Sequence, residues 1–192
     1  MQYKALEIIH DEHRALAAML NGMRTIAVGI RDGRLKMDFG LYAAMLRYME
    51  EVPEKMHHPK EGEYLFVRLR QRCEEARAVL AHLEQEHAAN ASRIAALRAA
   101  IDAYRAAGEG GFPAFFAALN DYVAHEWQHM NTEENEVFPL ARQHLLAEDW
   151  AEIDAAFLAN DNPWQGQRGE YEALFSDIVN KAPAPVGLGG GA

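Results

Sequence analysis

The sequence predicts an all-α protein, an antiparallel four-helix bundle carrying one or two short C-terminal helices. Three observations lead there. Four long stretches place apolar residues at steps of three and four, the period of a helix with one buried seam. Short connections separate the stretches, and glycines mark the first and the third of them. No segment shows the period-two alternation that a half-buried strand requires.

The first helix is expected over residues 2–30, with Leu6, Ile9, His13, Leu16, Leu20, Met23 and Ala27 on its seam and Gly29 to Gly33 ending it. The second runs over 38–70, with Asp38 as N-cap and Leu41, Met45, Met49 and Val52 facing inward. Pro53 and Pro59 fall inside it and should bend it, because each removes a backbone donor. The third, over 74–107, carries Ala76, Leu80, Leu83, His87, Asn90, Ile94, Leu97, Ile101 and Tyr104. Gly108, Gly110 and Gly111 stop it. The fourth covers 113–144, with Phe115, Leu119, Tyr122, Glu126, His129, Glu133, Val137 and Leu140 in one stripe. A fifth, over 149–158, shows Trp150, Ile153 and Phe157 as an apolar face that covers a bundle end or forms a homodimer contact. A short sixth is expected over 169–179. Residues 1–181 thus read as one domain, and 182–192, rich in Ala, Pro and Gly, as a flexible tail.

Composition narrows the function classes. The chain has 192 residues, enough for one domain with a sizeable core. A formal charge of −10 argues against nucleic acid, whose phosphates call for clustered Lys and Arg. No apolar run is long enough for a membrane span, and the first residues are too polar for a signal peptide. Cys73 is the single cysteine, which excludes an internal disulfide and fits a reducing cytoplasm.

The chemistry lies in a repeat. His57-His58-Pro59-Lys60-Glu61 and His129-Met130-Asn131-Thr132-Glu133 each set a Glu four residues after a His, and both run on into an apolar segment containing Phe. Residues i and i+4 share a helix face, so each pair aims an imidazole and a carboxylate at one point. Asp11-Glu12-His13 and Gln85-Glu86-His87 repeat likewise, at nearly the same offset before the pairs. Two helical hairpins therefore each supply a lone His and a His/Glu pair. His13 and His87 stand where the seam calls for Leu or Ile. Unpaired, such buried groups cost about 1–3 kcal/mol each, and six of them rival a domain's net stability of about 5–15 kcal/mol. Metal ions compensate them directly, binding neutral imidazole and ionised carboxylate together. The plainer alternative is a hydrogen-bonded His–Glu network around buried water.

These residues, with the phrases "HHPKEGEYLF" and "HMNTEENEVFP", resemble the hemerythrin-like proteins with the HHE cation-binding domain. The resemblance covers nearly the whole chain except the tail. It implies a metal site of His13, His57, Glu61, His87, His129 and Glu133, holding two iron ions, oxo- or hydroxo-bridged, with Glu61 and Glu133 between them. Manganese, zinc and cobalt suit the same donor types. Oxygen-carrying hemerythrins have a further helix-3 His one turn earlier, where this chain has Leu83. His125, His10 and Tyr122 are the candidates to replace it, or to stand behind the ligands and orient them. His58, about 100° round the helix from His57, is expected to face a rim. His82 and His144 are expected in solvent, and Glu12 and Glu86 at helix interfaces or in solvent. Ferritin-like sites use Glu-x-x-His and more carboxylate. His125-Glu126-Trp127-Gln128-His129 fits the zinc-hydrolase pattern but lacks a partner in the repeat. The function expected is non-haem di-iron binding or sensing of O₂, NO or peroxide. Turnover of peroxide or NO, repair of iron centres, and a metal-stapled storage or interaction module are the alternatives.

Overall fold

A computed structural model describes residues 3–158 and 164–189. Helix α1 (Lys4–Arg31) buries the expected seam, His13 included. Gly33, in the left-handed region at φ 70°, turns the chain beyond its end. Gly29 lies against Leu35, whose side chain occupies the space a Cβ would need. Asp38 caps α2 (Phe39–Val52), its carboxylate accepting from the Gly40 and Leu41 amides at 2.9 and 3.0 Å.

Proline does more than bend the second rod. α2 continues through a π-helical turn (Pro53–His57), a short α3 (His58–Lys60), a second π turn (Glu61–Phe66) and α4 (Val67–Arg72). The fourth rod repeats the device: α6 (Phe112–Thr132), a π turn (Glu133–Val137), then α7 (Phe138–His144). In both rods a π turn is followed by one residue and then a proline, Pro59 or Pro139. The His58 amide reaches the Pro53 carbonyl, and the Phe138 amide reaches that of Glu133. A proline ring collides with the carbonyl four residues back. Lys55 and Asn135 supply that carbonyl, and each lies within a widened turn that makes room for it. The third rod, α5 (Ala76–Ala107), is unbroken. Short connections make the rods antiparallel, and they pack around a square in the order α1, α2–α4, α5, α6–α7.

Two separate apolar clusters fill this square. One joins Leu16 to Ala27 of α1 with Leu41 to Met56, Ile94 to Tyr104 and Phe115 to Met130. The other joins Ala5, Leu6 and Ile9 with Leu65 to Leu69, Ala76 to Leu83 and Val137 to Leu145. Between them, on every rod, sits a His: His13 between Ile9 and Leu16, His57 between Met56 and Leu65, His87 between Leu83 and Ile94, His129 just before Met130 and Val137. A polar layer thus lies sealed between two dry cores.

The C-terminal helices finish those cores. α8 (Ala147–Leu158) buries Trp150, Ile153 and Phe157 in the second cluster. Trp150 stacks on Tyr3 at 4.0 Å, and the Arg72 guanidinium grips Asp149 at 2.8 Å. The Trp150 face is therefore covered by its own chain. α9 (Trp164–Lys181) starts earlier than the sequence suggests and lays Tyr171 and Ile178 on the first cluster. Residues 182–189 are not a free tail. The Leu188 and Gly189 amides donate to the Val179 and Ala182 carbonyls at 2.8 and 2.9 Å, and Val186 packs on the first cluster. A Cβ on Gly187 or Gly189 would collide with the carbonyls of Val179 or Lys181, so glycine permits this return. The rest of the expected tail, 190–192, lies outside the described residues. Among the described residues no helix is long and apolar enough to cross a membrane.

Phe115 is fully buried at the end of the bundle away from the polar layer, edge-on to Tyr42 and stacked on Tyr104. Phe115→Ala should lower unfolding stability by about 3–5 kcal/mol, measured by denaturant titration, while metal content per folded chain stays unchanged.

Candidate metal centre

The polar layer resolves into two groups of donors. The ligand atoms of His13, His57, Glu61 and Glu133 lie within 4.8 Å of one another, and so do those of His58, His87 and His129. The six residues expected from the repeat all come to this layer. In the first group the His13 and His57 Nε2 atoms are 3.1 Å apart, and in the second the His87 and His129 Nε2 atoms are also 3.1 Å apart. The two carboxylates span both. Glu133 Oε2 is 3.1 Å from His13 Nε2, while its Oε1 is 3.3 Å from His129 and 3.6 Å from His87. Glu61 Oε1 is 3.4 Å from His57 Nε2, and its Oε2 is 3.8 Å from His87. Each carboxylate thus shows one oxygen to each group.

His58 does not face a rim. Its ring stacks on His87 with centroids 3.8 Å apart and meets His129 edge-on at 5.8 Å. The 100° offset expected between His57 and His58 holds for a regular α-helix, but a π turn ends at His57, whose φ of −103° and ψ of −73° depart from α values. Adjacent residues therefore serve adjacent groups. Leu83 is fully buried in the second apolar cluster. The imidazoles number two in the first group and three in the second, with His58 supplying the fifth from helix 2. The doubled His-His in the sequence was the signal for it.

Behind the rings stands a shell of carboxylates. His57 Nδ1 donates to Glu12 at 2.8 Å, His13 Nδ1 to Glu134 at 2.9 Å, and His129 Nδ1 to Glu86 at 2.9 Å. His58 Nδ1 lies 3.4 Å from Glu54. The Glu12, Glu134 and Glu86 bonds hold the proton on Nδ1 of His57, His13 and His129 and direct Nε2 at the layer, whereas His58 Nδ1 is buried without a hydrogen-bond partner. Glu12 and Glu86 each reach past their own neighbour, His13 or His87, to the imidazole of another rod. The sequence shows the Glu-His repeat but not which ring the Glu meets, which depends on how the rods pack.

The three replacement candidates join neither group. His10, half exposed, bonds Glu134 at 3.2 Å, and His125 lies 3.7 Å from Glu86. Both therefore stand one carboxylate away from the layer. The Tyr122 hydroxyl is buried with no hydrogen-bond partner. Because His125 and His129 do not converge, the hydrolase pattern around Glu126 is not assembled. His82 is exposed as expected, 3.4 Å from Glu86. His144 is only half-exposed, with Nε2 buried and unpartnered.

Electrostatics mark the layer as undercompensated. All four oxygens of Glu61 and Glu133 are buried without a hydrogen-bond partner. Burial, reinforced by Glu133, pushes the Glu61 carboxyl well above the usual carboxylate range. Glu133 meets the same burial, yet His129, His13 and His87 hold it well below. Burial also presses on His129, but Glu133 and Glu86 overcome it and raise its pKa to about 9. His13 is raised against burial by Glu133 and Glu134. Burial lowers His57, and lowers His58 to about 3. Imidazoles and orphaned carboxylate oxygens around shared points fit metal cations, which satisfy both kinds of donor together.

Residues 4–141 match the family model of the hemerythrin HHE cation binding domain. No curated protein and no solved structure matches the chain.

Glu126, one turn before His129, offers a test outside the donor set. Burial pushes its carboxyl up to about 7 from an ordinary 4.5. The folded chain then keeps a proton that the unfolded chain releases above about pH 4.5, so stability falls as pH rises through that window. Glu126→Gln should gain roughly 1–3 kcal/mol over the parent near pH 8 and little near pH 4, read from denaturant titrations at both values. An equal effect at both would show that Glu126 is ionised throughout.

Proposed function

The chain belongs to the hemerythrin HHE cation-binding family, and on that premise we propose that it holds two iron ions and binds or senses O₂, NO or peroxide. His13 and His57 would hold one ion, His58, His87 and His129 the other, with Glu61 and Glu133 between them. The observation that carries this reading is the pair of buried carboxylates whose four oxygens have no hydrogen-bond partner and divide one to each group. A hydrogen-bonded network around water would leave no reason for that division.

When bound, two irons would supply reversible one-electron changes and a position for a small ligand. The chain's own residues set the conditions. Two imidazoles against three leave the first group one protein donor short, which marks it as the side open to a diatomic or peroxide. Glu12 and Glu134 fix the tautomers of His57 and His13 there. Phe138 lies parallel to His13 at 6.3 Å, and Phe66 parallel to His87 at 5.9 Å. These rings, with Met56 in the opposite cluster, exclude bulk water, which protects a reactive ligand from side reactions. A cytoplasmic setting accords with the lone, buried Cys73.

Protein purified without a metal-binding tag should contain two irons per chain by elemental analysis. Glu61→Ala and Glu133→Ala should each lose most of this metal, His58→Ala should lose metal from the second group, and His82→Ala should retain both. Equal metal in all four variants would remove the assignment, and one zinc or none would overturn it.

Ligand binding predicts that the anaerobic spectrum changes on exposure to air and returns when oxygen is withdrawn. Sustained consumption of peroxide or NO over many turnovers would instead assign an enzyme. A spectrum indifferent to both, with a fold that melts on metal removal, would assign a structural role.

A further inference from the structure

Tyr122 and His125, two residues the metal layer leaves unused, share a second feature of the fold. With Arg93, Leu97, Ala118 and Asp121 they line a cavity of about 330 Å³ between α5 and α6. Tyr122 is 4% exposed, and its hydroxyl has no hydrogen-bond partner. Leaving that hydroxyl orphaned costs stability that phenylalanine would not. Arg93 makes no ion pair among the described residues; one of its nitrogens donates to the Glu86 carbonyl at 3.1 Å, which fixes the guanidinium and leaves its other donors unengaged. In a chain of net charge −10 most arginines have carboxylate partners, as Arg72 and Arg98 do. Here a guanidinium, a partnerless phenol and a half-buried imidazole meet in one cavity.

We propose that this cavity binds a small organic monocarboxylate. The planar guanidinium matches a carboxylate with two parallel bonds, and the Tyr122 hydroxyl supplies a third donor. Leu97 and Ala118 form an apolar wall for a short hydrocarbon body. Asp121 at the rim repels a second negative charge, which disfavours phosphate and dicarboxylates. The cavity also adjoins the metal layer: His125 is 3.7 Å from Glu86, whose other oxygen accepts from His129. Carboxylate binding does not depend on the di-iron reading, since none of the donors named is a metal ligand.

Calorimetric titration of propionate into the full chain, metal-free and metal-loaded, tests this. Saturable one-to-one binding is expected in both forms, weakened on the order of tenfold or more by Arg93→Gln. Tyr122→Phe should weaken binding several-fold while keeping or raising the melting temperature. That opposition keeps the test decisive even if Arg93→Gln folds poorly, because a purely structural tyrosine would not show it. Absence of saturable binding to the folded chain, metal-loaded where the metal-free form does not stay folded, would overturn the proposal, as would affinity unchanged in Tyr122→Phe. Chloride competing as well as propionate would mean an adventitious ion only and would also overturn it.

Discussion

Charge compensation within a sealed layer governs this protein. Glu61 and Glu133 are fully buried, and imidazoles from all four rods converge on them, with dry clusters above and below. Their oxygens have no hydrogen-bond partner, and the imidazoles cannot all be protonated, because burial pushes His57 and His58 towards the neutral form. The carboxylates are therefore anions without enough positive charge, or acids without acceptors. Cations at the convergence points would resolve both difficulties, and the match to a cation-binding family accords with the electrostatics.

The remaining architecture serves that layer. π turns sit where the His and Glu motifs occur, in both the second and the fourth rod, and one in each rod makes room for Pro59 or Pro139. Their effect is to re-aim side chains that a regular helix would send elsewhere, most clearly His58. The carboxylate shell of Glu12, Glu86 and Glu134 then fixes the tautomers of His57, His129 and His13. α8 and α9 close the flanks of the two apolar clusters, so the layer is enclosed on the scale of the whole domain.

Much of this was legible in the residues because helical period and i, i+4 spacing are local properties. The seams of α1 and α5, the Asp38 cap and the meeting of the His/Glu pairs follow directly from them. What escaped depends on departures from regular geometry or on contacts between rods. His58 was misplaced because its angle to His57 assumed an unbroken α-helix. Glu12 and Glu86 were visible as a repeat, yet only packing decides that they serve the imidazoles of other rods. His125 and Tyr122 share the face of His129, but the fourth rod carries them past the convergence point towards Arg93. The segment from Ala182 has a disordered composition, and its closure rests on glycines that let two carbonyls approach.

Anomalous diffraction from crystals of the iron-loaded protein, recorded at the iron edge, would locate the cations in the polar layer. Two peaks are expected about 3.5–4 Å apart, the usual spacing of paired metal sites, with a carboxylate oxygen of Glu61 and of Glu133 against each and His58 on the peak it shares with His87 and His129. A single peak, or peaks away from those carboxylates, would contradict it.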